Sequence, residues 1–117
     1  MEEALGTVTI HPTVLTTVAR LTSLAMPGVA RMSDEWRLHV ERMLGRPGRG
    51  SGVDLSIKDN AVTVDLYVVA EPEVNLLQLG QTLQNEVSRA IQDMVGMEVL
   101  EVNVHIQDVD FPLTRSY

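Results

Sequence analysis

The 117-residue chain has no cysteine. That absence excludes disulfides, thiol nucleophiles and thiolate metal sites, and it is compatible with a reducing compartment. Aromatic residues are scarce, at 3% against 44% hydrophobic residues overall. Val, Leu, Ile and Met must therefore fill any core. No apolar run approaches the ~20 residues needed to span a bilayer, and Met1-Glu2-Glu3 is too acidic to open a secretory leader. Positive charge is also short: 9 Lys and Arg stand against 16 Asp and Glu, for a net charge of −7. This balance argues against DNA as a partner, disfavours RNA, and speaks against insertion into anionic lipid. Also missing are a nucleophile elbow, a phosphate-binding loop and a dinucleotide fingerprint. The stretch GRPGRGSG has glycines but not the Gly-Lys-Ser/Thr ending, and reads as a flexible loop. No catalytic residue, cofactor or metal site is expected. The length suits one domain over 1–117, large enough to bury a core without staples.

What the chain does have is a clear centre, VDLSIKDNAVTVDLYVVA at Val53 to Ala70. Val53, Leu55 and Ile57 alternate with polar residues, and so do Val62, Val64, Leu66 and Val68. Two such runs joined by Asp59-Asn60 predict a β-hairpin, because Asp and Asn tolerate the left-handed backbone of a two-residue turn. Placing Lys58 opposite Ala61 sets Ile57 against Val62, Leu55 against Val64 and Val53 against Leu66, all on one face. A one-residue slip would mix the faces. The hairpin needs helices over one side only.

The remaining elements follow from periodicity. Leu5 to Ile10 reads as a short first strand. Pro12 then starts a helix, where its missing N–H costs nothing, with a stripe at 14, 15, 18, 21 and 25 and a stop at Pro27-Gly28. A helical arm with a basic, Gly-rich loop is expected over 33–52. Ser33 would cap it, and Trp36, Val40, Met43 and Leu44 would form its narrow apolar stripe. Asn75 should cap the longest helix, Leu76 to Val95, with Gln78 completing a capping-box variant, Val74 stapling Leu79 and Gly96 ending it. Its stripe reads Leu76, Gly80, Leu83, Val87, Ala90, Ile91, Met94 and Val95. Met97 to Val109 is the last strand, and 110–117 a loose tail.

These elements define an α+β fold. It is a two-layer sandwich of a four-stranded, mostly antiparallel sheet with two long helices on one face, in the order β-α-β-β-α-β, plus the short helical arm.

Two places could carry function. The segment 31–50 holds five arginines against three carboxylates, the only basic stretch of the chain. Its Trp36, Val40, Met43 and Leu44, with Arg46 and Arg49, form a candidate interaction surface. The helix is too short to stand alone, and Trp is enriched at binding hot spots. The second place is the polar sheet face, with Asp54 opposite Asp65 and with Tyr67, Asn103, His105 and Glu101 alongside. Facing carboxylates repel unless solvated or bridged by a cation. A solvated or contact face is favoured over a metal or acid–base site there. Glu35 and His39, spaced i,i+4, are too few for a metal.

The order of these motifs resembles the alkaline shock protein, or envelope stress response, family of bacteria. The resemblance runs through GTVTI, VLTTVAR, PGVARM, MLGR, GVDLSI, VDLYVV, the N-L…Q…V…I…M-x-G helix and EVNVHIQDVDF, and covers roughly residues 5 to 112. Ala70-Glu71-Pro72-Glu73 departs from the Tyr-Gly turn frequent in the family, and Ser33–Leu44 is more charged than its usual Gly-rich stretch. The resemblance implies a non-enzymatic interaction or scaffold protein of cell-envelope homeostasis. It also implies a cytoplasmic, self-associating chain that sits close to the membrane through a small membrane-anchored partner. It carries over no catalytic residue. An RNA- or nucleotide-binding module using the basic arm 31–50 is the alternative. A small enzyme or metal-binding domain using Asp54, Asp65 and His105 comes third.

Overall fold

A computed structural model of the chain describes residues 4–33 and 52–112. Helix α1 spans Pro12–Ala25, strand β1 Val29–Met32, β2 Val53–Lys58 and β3 Ala61–Ala70. Helix α2 spans Leu76–Ala90 and runs into a π-helical turn, Ile91–Val95, before β4, Glu98–Val109. The two-layer α+β class stands as expected. Both helices contribute to a core shared with one face of the sheet, centred on Leu15, Leu66, Leu83 and Ile91.

The hairpin is as read. Asp59 and Asn60 take φ of 52° and 66°, the pair of left-handed residues that matches the twist of two joined strands. Every pair of the expected register is present, from Lys58 opposite Ala61 to Val53 opposite Leu66. Asn75 caps α2, its side chain accepting from the Gln78 amide at 2.9 Å. Val74 packs on the core beside buried Leu79. Gly96 ends the helical run at φ 82°, donating back to the carbonyls of Ile91 and Gln92.

The first strand is a correction. Leu5–Ile10 pairs with nothing among the described residues. Leu5 is 97% and Val8 89% exposed, and residues 4–11 form no helix or strand. The additional strand is instead β1, after the helix, so the chain order is α-β-β-β-α-β. Alternation alone cannot tell a paired strand from an extended free one. VARM is too short to show a period at all.

The helix stripes also shift. In α1 the buried residues are Leu15, Val18, Ala19 and Ser23, while Val14 and Leu21 face outward. Small Ala19 and Ser23 allow close approach, and the Ser23 hydroxyl is satisfied by the Ala19 carbonyl at 2.8 Å. In α2 the buried line is Leu79, Leu83, Val87 and Ile91, leaving Leu76 and Met94 exposed.

The sheet is three lanes wide. β3 lies in the centre and β4 runs parallel along its whole length, reached through the α2 crossover. β1 and β2 are both antiparallel to β3 and both lie on its other edge, end to end: β1 meets Val68 to Ala70, and β2 meets Ala61 to Leu66. Between them sits Tyr67. The Ser33 amide donates to the Tyr67 carbonyl, and the Tyr67 amide donates to the Gly52 carbonyl, both at 2.8 Å. β1 and β2 are thus one edge strand, from which the chain departs after Ser33 and to which it returns at Gly52. The return is tight. A Cβ on Gly52 would lie 2.7 Å from the Tyr67 carbonyl oxygen and 2.9 Å from Met32 Cβ, and the backbone φ is +75°. Only glycine fits both conditions without strain.

Candidate interaction face and edge

Alternation along β2, β3 and β4 sends half their side chains away from the helices. Asp54 and Asp65 are direct cross-strand partners, as expected. Across the parallel pair, Thr63 is level with Glu101, Asp65 with Asn103 and Tyr67 with His105. All five residues expected on the polar face, Asp54, Asp65, Tyr67, Asn103 and His105, therefore lie on it, with Glu101.

Several of their side chains meet in two groups. His105 Nε2 lies 3.0 Å from Asp65 Oδ1. The His105 ring stacks on Tyr67 with centroids 4.4 Å apart and planes 9° from parallel. Asn103 donates to Glu101 at 3.4 Å. Burial holds the Tyr67 hydroxyl above its ordinary pKa, reinforced by the Asp65 carboxylate and then by Asp54. Each factor disfavours a phenolate. The His105 and Asp65 side chains remain 43% and 28% exposed, so water reaches the pair. Among the described residues no group of three or more His, Cys, Asp or Glu is disposed to hold a metal ion. Chemically, the patch offers paired hydrogen-bonding groups and an aromatic platform on an open surface.

Two features were not anticipated. Ser33, nearly fully buried, donates its hydroxyl hydrogen to Gln107 Oε1 at 2.6 Å, tying the end of β1 to β4 across β3. The other is at the outer edge of β4. There Gln84 of α2 donates to the Val102 carbonyl at 3.1 Å, beside a groove of about 400 Å³ between α2 and residues 99–103. Nothing in the alternation of β4 marks which of its two edges is left open. Trp36, Val40, Met43, Leu44, Arg46 and Arg49 lie outside the described residues, as do Glu35 and His39.

Fold and face together define a small α+β sandwich that, among the described residues, presents a polar sheet surface and an open strand edge. The chain belongs to the alkaline shock protein 23 family, described as having a cell envelope-related function, whose model matches residues 1–111. It is similar to YqhY, an uncharacterized protein of Bacillus subtilis (strain 168), with 27% identity over 107 residues, covering 92% of this chain and 79% of that protein. Among solved structures it resembles a variant of MamM-CTD, with a TM-score of 0.54 and 11% identity, over 86% of this chain and all of the other. At that identity the likeness concerns the fold. No helix among the described residues is long and apolar enough to cross a membrane.

Proposed function

We propose that this chain is a non-enzymatic interaction protein of the bacterial cell-envelope stress response and envelope homeostasis. It works as one domain over residues 1–117, in the cytoplasm, by self-association and by docking to a small membrane-anchored protein. The family's cell envelope-related function supports the setting. The observation that carries the mode of action is the sheet itself: its polar face points away from both helices, and the outer edge of β4 pairs with no strand among the described residues. Unpaired edges must be blunted, covered or paired. Asp65, Tyr67 and His105 suit contact better than turnover, because they lie on an open sheet surface. The surface Trp36, Val40, Met43, Leu44, Arg46 and Arg49 belongs to the same reading, as a second contact element leaving the edge strand after Ser33.

The test is cross-linking in the native cell, membrane solubilisation and purification of the chain with its partners. Recovery of the chain cross-linked to itself and to a small membrane-spanning protein is expected. Recovery of monomer alone, or of RNA at stoichiometric level, would contradict the reading.

A further inference from the structure

We infer that the segment Leu5–Ile10 of one copy adds as a strand to the outer edge of β4 on a second copy. The inference rests on the self-association proposed above and names the surface that performs it.

The segment is built as a strand but pairs with none among the described residues of its own fold. It reads LGTVTI, with β-branched residues at Thr7 to Ile10, the composition that favours pairing. Yet it forms no ladder among the described residues, and Leu5 and Val8 are almost wholly exposed. Large apolar side chains held in water next to an ordered helix call for a partner.

The acceptor is equally specific. β4 is paired to β3 on its inner side from Glu98 to Val109. On its outer side the Val102 carbonyl takes its bond from a side chain, Gln84 Nε2, a substitute for a neighbouring strand. The adjoining groove follows five consecutive residues of β4 beneath Gln84, Asn85 and Ser88. Five residues of strand span about 17 Å, the length that Gly6–Ile10 would fill.

Side-chain chemistry matches on both faces. Val8 and Ile10, two residues apart, share one face. Set on the core side, they would extend the apolar row at Leu100, which is 58% exposed, and at Val104, which is partly buried. Thr7 and Thr9 would then lie on the polar side with Glu101 and Asn103. Charge decides against the simplest alternative, β4 pairing with a second β4. That pairing would bring Glu98, Glu101 and Asp108 of the two copies together, whereas residues 5–10 carry no charge. Among the described residues the segment pairs with no strand of its own chain, and the proposed donor is the segment of a second copy. Each copy then has one donor and one acceptor, a head-to-tail contact that yields rings or open chains.

The absence of cysteine makes the test direct. Full-length Val8→Cys and full-length Leu100→Cys are mixed, oxidised and run without reductant. A disulfide-linked heterodimer is expected, and the double variant should give a ladder of linked multimers. A double variant that links only within one chain would overturn the inference. In parallel, Val8→Pro removes a ladder hydrogen bond and should weaken self-association by about tenfold or more, with an unchanged melt because the site is exposed. Unchanged association of Val8→Pro together with failure to cross-link would also overturn it, while leaving the broader reading intact. A wild-type chain that stays monomeric at every concentration would overturn both.

Discussion

Ser33 and Gly52 are neighbours on one sheet edge, both bonded to the backbone of Tyr67. The relationship turns residues 34–51 into an excursion from a single edge strand rather than a link between two separate ones. Its two ends, Ser33 and Gly52, flank Tyr67, which lies on the polar face with Asp65 and His105.

Gly52 is the pinch point of that edge. Gly52→Ala combines an unfavourable positive φ with contacts under 3 Å to backbone and Met32. It should cost about 2 kcal/mol or more. Gly96→Ala has a similar φ, but open space around the added methyl, and should cost about 1 kcal/mol. Urea unfolding of the two variants gives the comparison; equal losses would mean that crowding at Gly52 is absent.

Because the ends at Ser33 and Gly52 already meet, replacing residues 34–51 by a short Gly-Ser turn should leave the core and the hairpin register unchanged. Circular dichroism and a cooperative melt check this. Collapse of the fold would show that the excursion supports the sheet instead of being carried by it.

Leu83→Ala, at the centre of the α2 stripe and fully buried, should lose about 2–5 kcal/mol through lost transfer energy and the cavity left behind. Leu77→Ala, six residues away on the same helix and 74% exposed, should stay within about 0.5 kcal/mol. Asn75→Ala removes the bond to the Gln78 amide and should cost about 1 kcal/mol.

Tyr67 sets an alkaline limit. Its folded-state pKa is raised by burial and by the Asp65 and Asp54 carboxylates, so the unfolded chain gives up this proton first. The stability that Tyr67 contributes is complete below the ordinary tyrosine pKa of about 10 and is lost as pH rises through the higher folded value. Tyr67→Phe should flatten the fall in stability above that pH. The chain has two tyrosines, and phenolate absorbance should lose its later step in this variant. An unchanged titration would place the late step on Tyr117.

The hairpin was fully legible from sequence because two independent constraints agreed: the turn at Asp59-Asn60 and the pairing of Val53, Leu55 and Ile57 with their partners. The cap at Asn75 and the stop at Gly96 were legible for the same reason, since each needs one residue type at one backbone position. The strand at Val29–Met32 was not, since four residues carry no period and its pairing depends on β3, far along the chain. Leu5–Ile10 reads as a strand of its own sheet because pattern reports propensity, and propensity does not say where a partner is. The polar face was foreseen as a set of residues, and the tie of His105 to Asp65 and its stack on Tyr67 followed only from the parallel register of β4. That Leu100 is exposed within an otherwise inward row reflects the register shift between Val62 and Thr63, which leaves Leu100 without a partner opposite.

The proposed mode of action is association, of the chain with itself and with a partner. Sedimentation equilibrium of the full-length protein over a wide concentration range tests it most directly. The mass should rise above the monomer and fall back towards it when residues 34–51 are shortened or Val8 is changed to proline. A monomer at every concentration, unaffected by either change, would contradict it.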